Sequence, residues 1–162
     1  QIVRFLSILR SRDCPWFYCA RSPNCRSLIL STFPVKEVAK KRFPESRNHE
    51  FVTVKIQGFF LTCLHLNAKA ETIRLKQLAR LVRELSDLEV WGEAHIWAGD
   101  FNSVTRKDYT ETEWTKLKEG RKDLHTKNPK YDKESKMEVE AKMVELGLTN
   151  CWLETGRKGP CC

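Results

Sequence analysis

An aspartate and an asparagine stand two residues apart in Gly99-Asp100-Phe101-Asn102, directly after the apolar run Ala94-His95-Ile96-Trp97-Ala98. A carboxylate there can activate a water molecule, and a carboxamide can donate to a phosphate oxygen or fix the carboxylate. Residues two apart on an extended chain project to the same side, so both can face one substrate. The same residues read equally well as a turn that closes a strand, which Asp and Asn favour. A second cluster, Thr62-Cys63-Leu64-His65-Leu66-Asn67, also ends an apolar run in a polar pair. The imidazole of His65 can donate to a developing oxyanion. Asn67 stands directly before a helical pattern, where Asn commonly serves as a cap.

The elements around these clusters follow from period and punctuation. Leu28-Ile29-Leu30, closed by Ser31-Thr32-Phe33-Pro34, predicts a short buried strand and a proline turn. Residues 36–50 are polar and basic and read as a surface connection. Phe51–Ile56 and Phe59–Leu64 are β-rich runs separated by Gln57-Gly58 alone, a hairpin signal. The second run is apolar on both faces, which predicts a central strand covered on both sides. Leu75, Leu78, Ala79, Val82 and Leu85 recur at helical spacing, with Arg74, Lys76, Arg80 and Arg83 between them as a solvated face. Ala94–Ala98 predicts a further buried strand. Residues 103–136 are highly charged, with Trp114, Leu117 and Leu124 to dock them. Met137, Ala141 and Val144 mark a last helix closed at Gly147. Strands and helices in this order predict a layered α/β domain.

Three segments in order carry a resemblance. Leu28-Ile29-Leu30-Ser31-Thr32-Phe33-Pro34-Val35, Thr62-Cys63-Leu64-His65-Leu66 with Arg74 and Gln77 following, and Gly99-Asp100-Phe101-Asn102 together resemble the endonuclease/exonuclease/phosphatase (deoxyribonuclease I-like) superfamily. The resemblance covers residues 25–105 well and the rest loosely. It implies an α/β sandwich of two packed mixed β-sheets flanked by helices, and hydrolysis of phosphodiesters or phosphomonoesters with Mg²⁺ or Mn²⁺. By the same resemblance Asp100 orients or deprotonates the attacking water, Asn102 holds the scissile phosphate, and His65 stabilises charge in the transition state. Asn67 and Arg74 are its candidate substrate-binding residues. Phosphoryl transfer is catalysed mainly by positioning and charge neutralisation, so these roles are chemically coherent.

The sequence departs from that pattern at both ends. The upstream glutamate that binds metal in the superfamily has no counterpart, so no metal ligand is assigned within this chain. The closing Ser-Asp-His segment is also missing, and His49, His95 and His125 do not replace it. Residues 1–162 therefore read as a single domain truncated at both ends, inactive by itself and catalytic within a longer parent. Composition narrows the classes. The chain carries a formal charge of +8 and 41% apolar residues, enough for a real core and a polyanionic partner. Nucleic acid is the favoured substrate. The rival reading is a non-catalytic module of the same fold that binds polyanions through its basic surface. Arg106, Lys107, Lys116, Lys118, Arg121 and Lys122, with Tyr109 and Trp114 among them, offer a phosphate-contacting rim, although neighbouring acids offset much of their charge and favour a solvated surface instead. No apolar run approaches the roughly 20 residues of a membrane-spanning helix. Seven cysteines without paired spacing read as free thiols, which places the protein inside the cell, in cytoplasm or nucleus.

Overall fold

The computed structural model describes residues 18–21, 27–45, 48–104, 106, 109–133 and 137–151. The apolar opening at residues 1–17 and the run at 152–162 lie outside the described residues. Among these described residues, six strands and three helices follow in order: β1 (Tyr18–Arg21), β2 (Leu28–Ser31), β3 (Lys36–Arg42), β4 (Glu50–Ile56), β5 (Phe59–His65), α1 (Glu71–Asp87), β6 (His95–Asp100), α2 (Glu111–Lys127) and α3 (Glu138–Glu145). The class is α/β, as expected. One sheet is mixed and four-stranded, in the order β3-β4-β5-β6; β1 and β2 form an antiparallel ribbon. A second mixed sheet is not present among the described residues. Two compact units divide the chain, residues 1–65 with 80–100 and residues 66–79 with 101–162.

The first unit is built on the β4–β5 hairpin. Gln57 and Gly58 both take positive φ, 45° and 90°, the two-residue turn whose twist suits flanking strands. That turn fixes the register, so Phe51 faces Leu64, Val52 faces Cys63 and Glu50 faces His65. Val52, Val54 and Ile56 on one face pack with Ala20 and Ile29 of the ribbon, and Phe59, Leu61 and Cys63 join them. On the other face Phe51 meets Phe43, with ring centroids 5.4 Å apart, and Phe60 and Leu64 are buried. Lys41 of β3 pairs there with Glu84 of α1, whose Leu81 and Leu85 are fully buried. β5 is thus central, as its two-sided apolar pattern requires.

Two expectations change here. Residues 36–42 form a strand, not a surface connection. As an edge strand β3 needs only Ala39 buried, and its lysines stay in water, which also blunts the edge against unwanted pairing. The strand near residues 94–98 runs from His95 to Asp100 and is not buried. It pairs in parallel with β5, its one partner among the described residues, and Ile96 is 49% exposed. An apolar run reports a preference for cover, whereas position in the strand order decides whether cover exists.

In the second unit, α2 begins with a capping box. Thr110 accepts from the Glu113 backbone N–H, and the Glu113 carboxylate accepts from the Thr110 N–H. Trp114 is buried, Leu117 is half-buried and Leu124 is exposed, so the charged segment docks mainly through its first turn. α3 closes at Gly147 as expected: φ is 76°, and Leu148 N donates to Met143 O. Its buried residue is Val139; Ala141 and Val144 are exposed. Among the described residues, no helix is long and apolar enough to cross a membrane.

Candidate active site

β5 and β6 are parallel, so their carboxyl ends lie side by side, and open α/β sheets place sites at such ends. The register sets His65 beside Asp100. His65 Nε2 lies 3.7 Å from Asp100 Oδ2, beyond direct hydrogen-bonding length and within bridging distance of one water. The Asp100 side chain is 63% exposed and that of His65 is 29% exposed, so an arriving substrate can reach both. Gly99 makes this proximity possible. Its φ is 128°, and a Cβ added there would stand 2.0 Å from Leu64 O, inside the backbone of β5.

The hairpin register adds a residue that the motif search misses. Glu50 starts β4 directly opposite His65, on the same face, and is fully buried. Arg42 of β3 is opposite Glu50. Arg42, Glu50, His65 and Asp100 therefore form a lateral row across all four strands. His49 adds an edge-on contact, its ring centroid 5.0 Å from that of His65. The signal was countable: a two-residue turn between Ile56 and Phe59 pairs every residue with the one whose number brings the sum to 115, and Glu50 pairs with His65.

The remaining candidates belong to the second unit. Asn102 sits at φ 48°, in the left-handed region that Asn tolerates, and its Nδ2 donates to Leu66 O at 2.8 Å. Asn67 is buried and acts as a cap: its Oδ1 accepts from Lys69 N at 2.8 Å and Ala70 N at 2.9 Å. Its own N–H donates to Gln77 Oε1 at 2.8 Å. Arg74 is 0% exposed and donates from Nη1 to Asn67 O at 2.9 Å, with Glu71 and Asp132 beside Nη2. Burial lowers its pKa, and the two carboxylates oppose that. The expected solvated or substrate-binding roles of Arg74 give way to an internal one, because this guanidinium is enclosed by protein.

His95 is half-buried. Its Nε2 lies 2.8 Å from Thr62 Oγ1, which lies 2.7 Å from Thr53 Oγ1. Burial pushes its pKa down to about 4, so the ring is neutral at physiological pH. Arg106 pairs with Glu111, donates to Tyr109 O and stacks 5.5 Å from the Trp114 ring, so it is committed locally rather than to a phosphate rim. Among the described residues, Cys63 and Cys151 are free thiols, and no group of three or more His, Cys, Asp or Glu side chains is placed to hold a metal ion. Asp100 carries a solvent-exposed carboxylate of the hard type Mg²⁺ prefers, but alone it does not make a binding site. The chain matches no protein-family model, and no curated protein aligns with it significantly.

Proposed function

We propose that this chain carries the core of a metal-dependent phosphoester hydrolase, with nucleic acid the favoured substrate and an intracellular place of action. The observation that supports it most is the His65–Asp100 pair, held in register at the carboxyl ends of two parallel strands with the carboxylate open to solvent. In this reading Asp100 orients a water and takes its proton. His65 donates to the phosphoryl oxygens as charge builds on them. Asn102, its carboxamide oriented by Leu66 O, donates to the scissile phosphate. Mg²⁺ or Mn²⁺, when bound, would neutralise phosphate charge; the resemblance supplies that part of the reading, and the described residues do not complete a site for it. Hydrolysis of a phosphodiester by the full-length protein, lost in Asp100→Ala and His65→Ala, tests the reading.

The net charge of +8 favours one alternative, a polyanion-binding module that does not hydrolyse its ligand. Its mark is nucleic-acid binding that weakens steeply with salt and is indifferent to Mg²⁺ and to Asp100→Ala.

A further inference from the structure

The second unit contains a buried polar network that neither candidate motif includes, and its distant member comes from the charged segment. Asp132 lies 61 residues beyond Glu71, yet its carboxylate accepts from Glu71 N at the start of α1. Its own N–H donates to Lys69 O at 2.7 Å. The same carboxylate stands 3.6 Å from Arg74 Nη2. Glu71, itself buried, accepts from Val139 N at 3.3 Å and so ties in the start of α3. His125 Nδ1 lies 2.7 Å from Tyr131 O, which anchors the loop before Asp132 to α2.

These contacts converge on Leu66-Asn67. Arg74 holds Asn67 O, Gln77 holds Asn67 N, and Leu66 O receives the Asn102 carboxamide. A guanidinium that is 0% exposed, with Nε and Nη2 lacking hydrogen bonds, depends on nearby carboxylates to keep its charge inside protein. Asp132 is one of two such carboxylates, and the one whose backbone also bonds the turn leading into α1. Withdrawing its charge leaves Arg74 under-neutralised and loosens its hold on Asn67 O, and Leu66 O with it.

We propose that Asp132, acting through Arg74, is a positioning residue that holds the Leu66-Asn67 turn and thereby aims the Asn102 carboxamide. For catalysis this rests on the hydrolase reading above; for geometry it stands alone. The charged segment 109–133 is then a brace for the Leu66-Asn67 turn within the second unit.

Asp132→Asn tests it, because the change is nearly isosteric and removes only charge. Two readouts are taken on the folded protein: turnover of bis(4-nitrophenyl) phosphate with Mg²⁺, and the side-chain amide NMR signals of Asn102, assigned by their loss in Asn102→Asp. The expected result is a kcat lowered about tenfold or more with KM changed less than about twofold, together with displaced Asn102 amide signals. Asp132→Glu restores part of both, and the exposed control Asp123→Asn changes neither. If Asp132→Asn does not fold, Arg74→Lys is read by the same signals. Unmoved Asn102 signals in a folded variant overturn the proposal. Absence of turnover by the unsubstituted protein counts against the hydrolase reading alone, since the amide signals still decide the brace.

Discussion

Gly99→Ala is expected to be among the costliest single-methyl additions to this chain. The added Cβ would lie 2.0 Å from Leu64 O and 3.0 Å from Leu64 C and N. Ordinary contacts of this kind exceed 3 Å, so the ends of β5 and β6 must part by about 1 Å. Alanine at φ 128° adds backbone strain of about 1–3 kcal/mol. Parting the strand ends loosens at least one ladder hydrogen bond, worth about 1 kcal/mol, and the displaced neighbours add about 1 kcal/mol of overpacking. The sum is roughly 3–5 kcal/mol, in the range reserved for steric and backbone faults. Gly58→Ala is the internal control. Its φ is 90° and nothing lies within 4 Å of the new methyl, so it carries the strain without the collision, about 1–2 kcal/mol. Urea unfolding of both variants, with equal slopes, gives the difference directly. The expected gap is about 2–3 kcal/mol. A Gly99→Ala variant within 1 kcal/mol of Gly58→Ala would refute the close approach of β6 to β5, and with it the geometry assigned to His65 and Asp100.

His95 makes stability depend on pH. Its folded pKa of about 4 lies below the ordinary histidine value of about 6.5, so the unfolded chain binds more protons between those values. Stability is full above about pH 6.5 and falls on acidification toward 4; His95→Phe should flatten that slope in urea titrations. Glu84 has its pKa lowered by hydrogen bonding to Lys41, with Arg80 contributing, so its contribution is present above the ordinary carboxylate range and lost below it. Because Lys41 and Arg80 are each about half exposed and screen the pair, Glu84→Gln should cost about 1 kcal/mol at pH 7, and the difference from the unsubstituted protein should vanish when the comparison is repeated at acid pH.

Local signals carried much of this fold. The Gln57-Gly58 turn, two-sided apolar β5, the helical period of α1 and the stop at Gly147 are visible in the sequence, because each depends on near neighbours. The hairpin even contained the pairing of Glu50 with His65, a matter of turn length. What escaped depends on distant partners. Arg74 occupies a position that looks solvated by composition; it is buried because Asp132 and Glu71 accompany it, and no local pattern announces a partner 58 residues away. β6 looks internal by hydropathy and has one strand neighbour, β5, among the described residues. β3 looks like a loop because an edge strand can carry lysines on most of its length. Asp100, His65 and Asn102 stand out by residue type and motif, whereas the strand neighbours of Asp100 and His65 follow from register.

Phosphodiester hydrolysis by the full-length protein that carries this sequence, with and without Asp100, tests the central claim most directly. Single-stranded and duplex oligonucleotides are incubated with Mg²⁺, and Asp100→Ala is compared at equal folded concentration. Loss of a general base costs on the order of 10²–10⁴ in rate, and the account predicts a fall of that size with substrate binding retained. Undiminished hydrolysis by Asp100→Ala, or salt-sensitive binding without any hydrolysis by the unsubstituted protein, would contradict it.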